Sequence, residues 1–285
     1  MSEKRDTNHH ELKISRCRVE NRAFPPPRKL RGIGGVLTFV LVLFASTALT
    51  HPAAAQQQVL ATTPWTAAFA HAAGAHRVEL LAPYEMRHPP EYELRATDLR
   101  RVENADLVVY AGYETMMDRL ERVLGDANVS SVQITTTHTM AAIEEAVMQI
   151  AVALGTENEA RGNLAEIRSF LDDWRDEIRS MGLHRRRVLV HGFQVQLMED
   201  LGVPVAGRFG PAPLEAQQIV RFSREGAALI VDNWHNEVAQ PFRETLPGVP
   251  IVSFINFPGH EGTRTLLEVL SYNRSALREG FGAAR

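Results

Sequence analysis

Residues 141–182 read AAIEEAVMQIAVALGTENEARGNLAEIRSFLDDWRDEIRSMG, and the fold of this run sets how the chain on either side of it is arranged. Leu164, Ile167, Leu171, Trp174 and Ile178 recur at three- and four-residue spacing, the stripe of an amphipathic helix. The run holds no proline and only two internal glycines, Gly155 and Gly162, which is not the composition of a flexible linker. A helix with one apolar stripe has to bury it against other elements. Short apolar runs flank it, four on each side: QVLATT, RVELLA, ADLVVYAG and SVQIT before it, RRVLVHG, GVPVAG, ALIVDN and PIVSFIN after it.

Most of these runs are continuous Val, Ile and Leu rather than apolar–polar alternations, the pattern of strands covered on both faces. Helical patterns such as TDLRRVENA and ETMMDRLERVLG lie between them, and strand–helix alternation points to a mainly parallel sheet. The fold class expected is α/β: two four-stranded parallel-sheet lobes joined by one long rigid helix, with a ligand cleft between the lobes. The boundaries expected are 56–155 for the first lobe, 156–182 for the linking helix and 183–285 for the second.

Residues 1–55 are set apart from this fold. A basic lead (Arg28, Lys29, Arg31), an apolar run from about residue 32 to 49, and Ala53-Ala54-Ala55 make the pattern of a cleaved secretory signal peptide. A retained membrane anchor is the other reading of the same run. The single cysteine, Cys17, precedes the run. Nine of the 31 Lys and Arg and four of the 34 Asp and Glu lie in residues 1–55, leaving 22 against 30 and a net charge of −8. An acidic remainder argues against a nucleic-acid partner.

Ligands of open parallel sheets bind beyond the carboxyl ends of the strands. Of the eight histidines after residue 55, four stand just past a predicted strand: His88, His138, His191 and His235, two from each lobe. Facing lobes would bring imidazoles across a cleft, where neutral nitrogen suits zinc and similar ions. Taken alone, a histidine at a strand end is more often a capping or hydrogen-bonding residue than a ligand. Asp232, ending ALIVD, is a candidate anionic ligand or a cap for a helix after Asn233. Asn256 offers a metal only its amide oxygen. His71, His76 and His184 read as surface or helix-end residues, and His260 stays open. The chain has no HExxH, GxSxG, GxxxxGK[ST] or GxGxxG after a strand, and a cysteine nucleophile is excluded by count. A secreted metal-dependent hydrolase remains an alternative from another class, with no evident general base.

With these residues in view the chain resembles the zinc/manganese solute-binding proteins of bacterial ABC importers, cluster A-I. The resemblance rests on PPEYELRATDLRRVENADLVVYAGYE, the long central helix, VLVHGFQVQLMEDLGV and GVPIVSFINFPG, and runs from about Val59 to near the C-terminus. It implies two α/β lobes, a periplasmic location, an inner-membrane ABC permease as partner, a monomer, no enzymatic activity, and a metal ion clamped between lobes. It implies metal ligands at His88, His138 and His191, with Asp232 supplying the anion. Glu91, Glu114, His235, Asn256 or water are the other candidates for the fourth position. Three departures stand out. Pro90 occupies the family's first ligand position, two residues before Tyr92, with His88 displaced; TTTHTM replaces Asp-Pro-His-x-Trp; and Asn256 stands where the family has an acid. Zn2+ is expected before Mn2+, because His191 stands at one of the family's acidic positions, and a hard-oxygen ion is disfavoured. A binder of the same fold for a non-metal or metal-chelate ligand is the alternative.

Overall fold

The computed structural model describes residues 57–282. The signal-peptide expectation for 1–55 lies outside them, and among the described residues no helix is long and apolar enough to cross a membrane. The chain builds β1 (Gln58–Ala61), α1 (Pro64–Ala72), β2 (Arg77–Leu80), α2 (Ala96–Glu103), β3 (Leu107–Tyr110), α3 (Met117–Ala127) and β4 (Ser131–Gln133). Two helices come next, α4 (Met140–Leu154) and α5 (Glu157–Ser180). The second half repeats the alternation with β5 (Val188–His191), α6 (Val195–Asp200), β6 (Val205–Phe209) and α7 (Ala216–Ser223). It ends with β7 (Leu229–Asn233), α8 (Phe242–Thr245), β8 (Ile251–Phe254) and α9 (Leu266–Gly282).

All eight expected strands form, in two parallel four-stranded sheets ordered β2-β1-β3-β4 and β6-β5-β7-β8. The order is the same in both, so each sheet reverses its winding beside its first strand, between β1 and β3 and between β5 and β7. That reversal leaves a crevice at the carboxyl ends.

The continuous apolar runs follow from burial on both faces. Neighbouring residues of a strand point to opposite sides. Val59, Val109, Val190 and Val231 enter one core, while Leu60 and Val108 enter a second and Leu189 and Ile230 a third. The first of these runs unbroken through both lobes. Its floor is α5, whose Leu164, Ile167, Leu171, Trp174 and Ile178 are all buried in it. Fully burying each such side chain is worth about 1.5–3 kcal/mol, so the expected stripe is what fuses the lobes. Gly155, left-handed at φ +71, ends α4 and lets the chain reverse into α5. Arg274 and Arg278 of α9 both grip Glu177 of α5 and tie the last helix to the same spine.

The lobes also meet along the cleft. The Arg87 guanidinium donates to the Trp234 carbonyl at 2.7 Å and lies 4.9 Å over its ring. Arg264 sits 4.0 Å over the Tyr84 ring. Gly259 has φ +126, and a Cβ there would come within 2.4 Å of the Tyr84 carbonyl oxygen. Only glycine satisfies both conditions.

Candidate ligand cavity between the lobes

A cavity of about 620 Å³ opens between the lobes, lined by residues that follow β1, β2, β3, β4, β5, β7 and β8 and by the end of β6. It therefore occupies the carboxyl-end crevice of both sheets at once. Trp65, Tyr113, Phe193 and Phe257 supply aromatic wall, and His88, His138, His235, Glu91, Arg208 and Asn256 supply polar points.

His88 begins the turn made by Pro89 and Pro90, where the Glu91 N–H donates to its carbonyl at 3.0 Å. Pro89 is buried and His88 is exposed, so the double proline anchors the loop and leaves the imidazole at the cavity edge. His138 follows β4 and is buried. The Trp65 indole N–H donates to its Nε2 at 3.1 Å, which places the neutral ring's proton on Nδ1. Burial lowers its pKa to about 4. His235 lies in the short turn after β7, its ring 3.6 Å from that of Phe257. Burial, more than any neighbouring charge, lowers its pKa to about 3. Both imidazoles are uncharged at neutral pH.

The other two expected ligands are spent elsewhere. His191 is fully buried at the end of β5. Its Nδ1 accepts the Phe193 N–H at 3.2 Å, and its Nε2–H donates to Asn236 Oδ1 at 2.9 Å. Both nitrogens are occupied, and the ring lies behind the wall that Phe193 and Asn236 form. Asp232 is buried and accepts the backbone N–H groups of Val238 at 3.3 Å and Ala239 at 3.0 Å, the capping role open to it from its position. Glu114 is likewise enclosed: it accepts from the Thr62 hydroxyl at 2.6 Å and from the Ala111 and Gly112 N–H groups at 2.9 and 2.7 Å. The structure thus brings His88 and His138 to the cavity, with His235, Glu91 and Asn256 from the fourth-position candidates, and holds His191, Asp232 and Glu114 away from it. Among the described residues no three His, Cys, Asp or Glu side chains converge closely enough to hold a metal ion.

Sequence reasoning passed over the aromatic wall and Arg208. A signal for them existed: Trp65, Tyr113, Phe193 and Phe257 each stand two to four residues past a strand end, the position that singled out the histidines. Tyr113 shares a 2.9 Å hydrogen bond with Thr136 Oγ1. Arg208, on β6 at the edge of the sheet, is exposed and has no carboxylate partner among the described residues.

No family model and no curated protein matches the chain. Solved structures do. The laminin-binding protein Lbp of Streptococcus pyogenes superposes with a TM-score of 0.62 at 14% identity, covering 79% of this chain and 98% of that one. The metal-dependent lipoprotein YcdH of Bacillus subtilis gives 0.62 at 15%, covering 79% and 99%. The solute-binding protein FpvC of Pseudomonas aeruginosa, solved in complex with Mn2+, gives 0.62 at 17%, covering 81% and 100%. Identities this low speak to architecture and not to ligand. The two-lobed fold that the resemblance implied is the fold this chain has, shared along nearly the whole length of these binding proteins.

Proposed function

We propose that this chain is the solute-binding component of an ABC-type importer, acting in the periplasm, and that its cargo is a transition-metal ion captured between the lobes and passed to an inner-membrane permease. The observation that carries the reading is the cavity itself. It gathers His88 and His138 from one lobe and His235 from the other, and burial keeps two of the three uncharged at pH 7. Neutral imidazole is a ligand for borderline ions, which favours zinc over manganese and disfavours magnesium or calcium. Relatives of fold solved with Mn2+, Ni2+ and Zn(II) agree with a metal cargo. His235 takes the place in the ligand set that His191 held by sequence, and Glu91 takes that of Asp232.

The test is a titration of metal-stripped protein with zinc, manganese and nickel chlorides. One zinc per chain is expected, at least tenfold tighter than manganese, with uptake reduced at least tenfold by His138→Ala or His235→Ala. Absence of uptake for every transition metal, supplied free or chelated, would remove the proposal.

A second reading, a binder of the same fold for an organic or metal-chelate ligand, is favoured by the volume. A body the size of a water molecule takes about 30 Å³, whereas cavities for organic ligands run about 300–1,000 Å³. At about 620 Å³ the cavity belongs with the latter.

A further inference from the structure

We infer that the metal enters this cavity as a complex with a small polycarboxylate chelator, and that Arg208 holds a free carboxylate of that chelator; the inference rests on the metal reading above. Three observations converge on it.

The first is coordination. A zinc ion enclosed by protein alone takes four ligands, yet no three His, Cys, Asp or Glu side chains converge among the described residues. Nε2 of His138 accepts the Trp65 N–H and becomes a ligand only when that bond is given up. The protein supplies part of a coordination sphere, and water or donor atoms carried in with the ion complete it.

The second is charge. Among the described residues, Glu91 is the only carboxylate on the cavity wall and Arg208 the only guanidinium, and they come from opposite lobes. Glu91 offsets one of the ion's two positive charges, and Arg208 adds another. A cargo bearing two or more carboxylates removes that excess, which a bare ion would intensify. Arg208 is suited to the role because its side chain makes no ion pair with the described residues and lies against Gly192, where a Cβ would come within 2.9 Å of its Nε. Its planar fork matches a carboxylate in two-point fashion.

The third is shape and polarity. The volume exceeds an ion's needs, and the aromatic wall of Trp65, Tyr113, Phe193 and Phe257 suits a carbon skeleton. Two polar atoms of wall residues, His235 Nδ1 and Asn256 Oδ1, are buried and face one another without a well-formed hydrogen bond. Such groups are costly unless satisfied, and a hydroxyl or carboxylate-bearing guest offers partners once the wall adjusts.

The experiment uses zinc chloride, sodium citrate and preformed zinc–citrate on metal-stripped protein. Calorimetry gives the affinities and native mass spectrometry reports what stays bound. Expected is a complex of one protein, one zinc and one citrate, with zinc held at least tenfold tighter in the presence of citrate at equal free zinc. Arg208→Gln should abolish that advantage and should strengthen rather than weaken the binding of zinc alone, since it removes a like charge from the wall, and Arg208→Lys should retain part of the advantage. Arg208 is exposed, so neither change threatens folding. Zinc bound without citrate, at unchanged affinity and indifferent to Arg208→Gln, would overturn the inference and leave the metal cargo standing. Failure of zinc to bind in either form would overturn the metal cargo, and this inference with it.

Discussion

His191 shows how a side chain can be central to a site without touching its ligand. It holds the Phe193 N–H with one nitrogen and Asn236 Oδ1 with the other, and both partners face the cavity. His191→Ala removes a fully buried ring and leaves two polar groups unpaired, at a cost of about 2–4 kcal/mol. Chemical denaturation should record that loss, and it should exceed the loss for exposed His88→Ala, which should be under about 0.5 kcal/mol. The buried histidines also make stability depend on pH. Their folded pKa values, about 4 for His138 and about 3 for His235, lie below the unfolded value of about 6.5. The unfolded chain therefore binds more protons as pH falls. Their contribution is complete above about pH 6.5 and is lost progressively toward pH 4 and below. For His138 the amount is about 3 kcal/mol. Denaturation of metal-free protein at pH 7 and pH 4 should show the fall, and His138→Gln should flatten it. A pH-independent profile would mean these rings are hydrated.

At the scale of elements, α5 was readable from its stripe because a helix that packs on one side repeats every 3.6 residues whatever it packs against. Trp174 is that helix's largest fully buried side chain and meets Phe254 of β8 at 6.1 Å. Trp174→Ala should cost about 3–5 kcal/mol, read as a lowered denaturation midpoint, because the hole lies in the core both lobes share. The strands were equally plain, their apolar runs long enough to be covered twice. α9 was not singled out: its apolar positions Leu266, Val269, Leu270, Leu277 and Phe281 are interrupted by Asn273, a polar residue at a core position. The fold explains that residue, since Asn273 is buried, accepts the Ile255 N–H and donates to the Ile255 carbonyl, each at 2.8 Å. Gly259→Ala belongs to this scale as well. It should loosen the contact with the Tyr84 loop and lower the thermal midpoint by several degrees, more than Gly248→Ala, where a Cβ meets open space.

For the molecule as a whole, one core runs beneath both sheets, and Arg87 and Arg264 reach from one lobe to aromatic rings of the other. Hinged opening would have to tear buried apolar surface at about 25 cal/mol per Å². X-ray scattering should therefore give the same radius of gyration for metal-stripped and zinc-loaded protein, within error, and a clear contraction on loading would contradict the rigid spine. What the sequence determined by itself was the alternation of elements, the parallel sheets, the α5 stripe and the candidacy of strand-end histidines, because those rest on local periodicity and on a rule about where sheets bind. What only tertiary structure decided was which histidine faces the cavity. His191 closes β5 and His235 stands two residues past the end of β7; one is locked behind the wall by Phe193 and Asn236 and the other is turned into it against Phe257. The direction of a side chain at a strand end is set by hydrogen-bond partners many residues away, and no spacing in the chain encodes it.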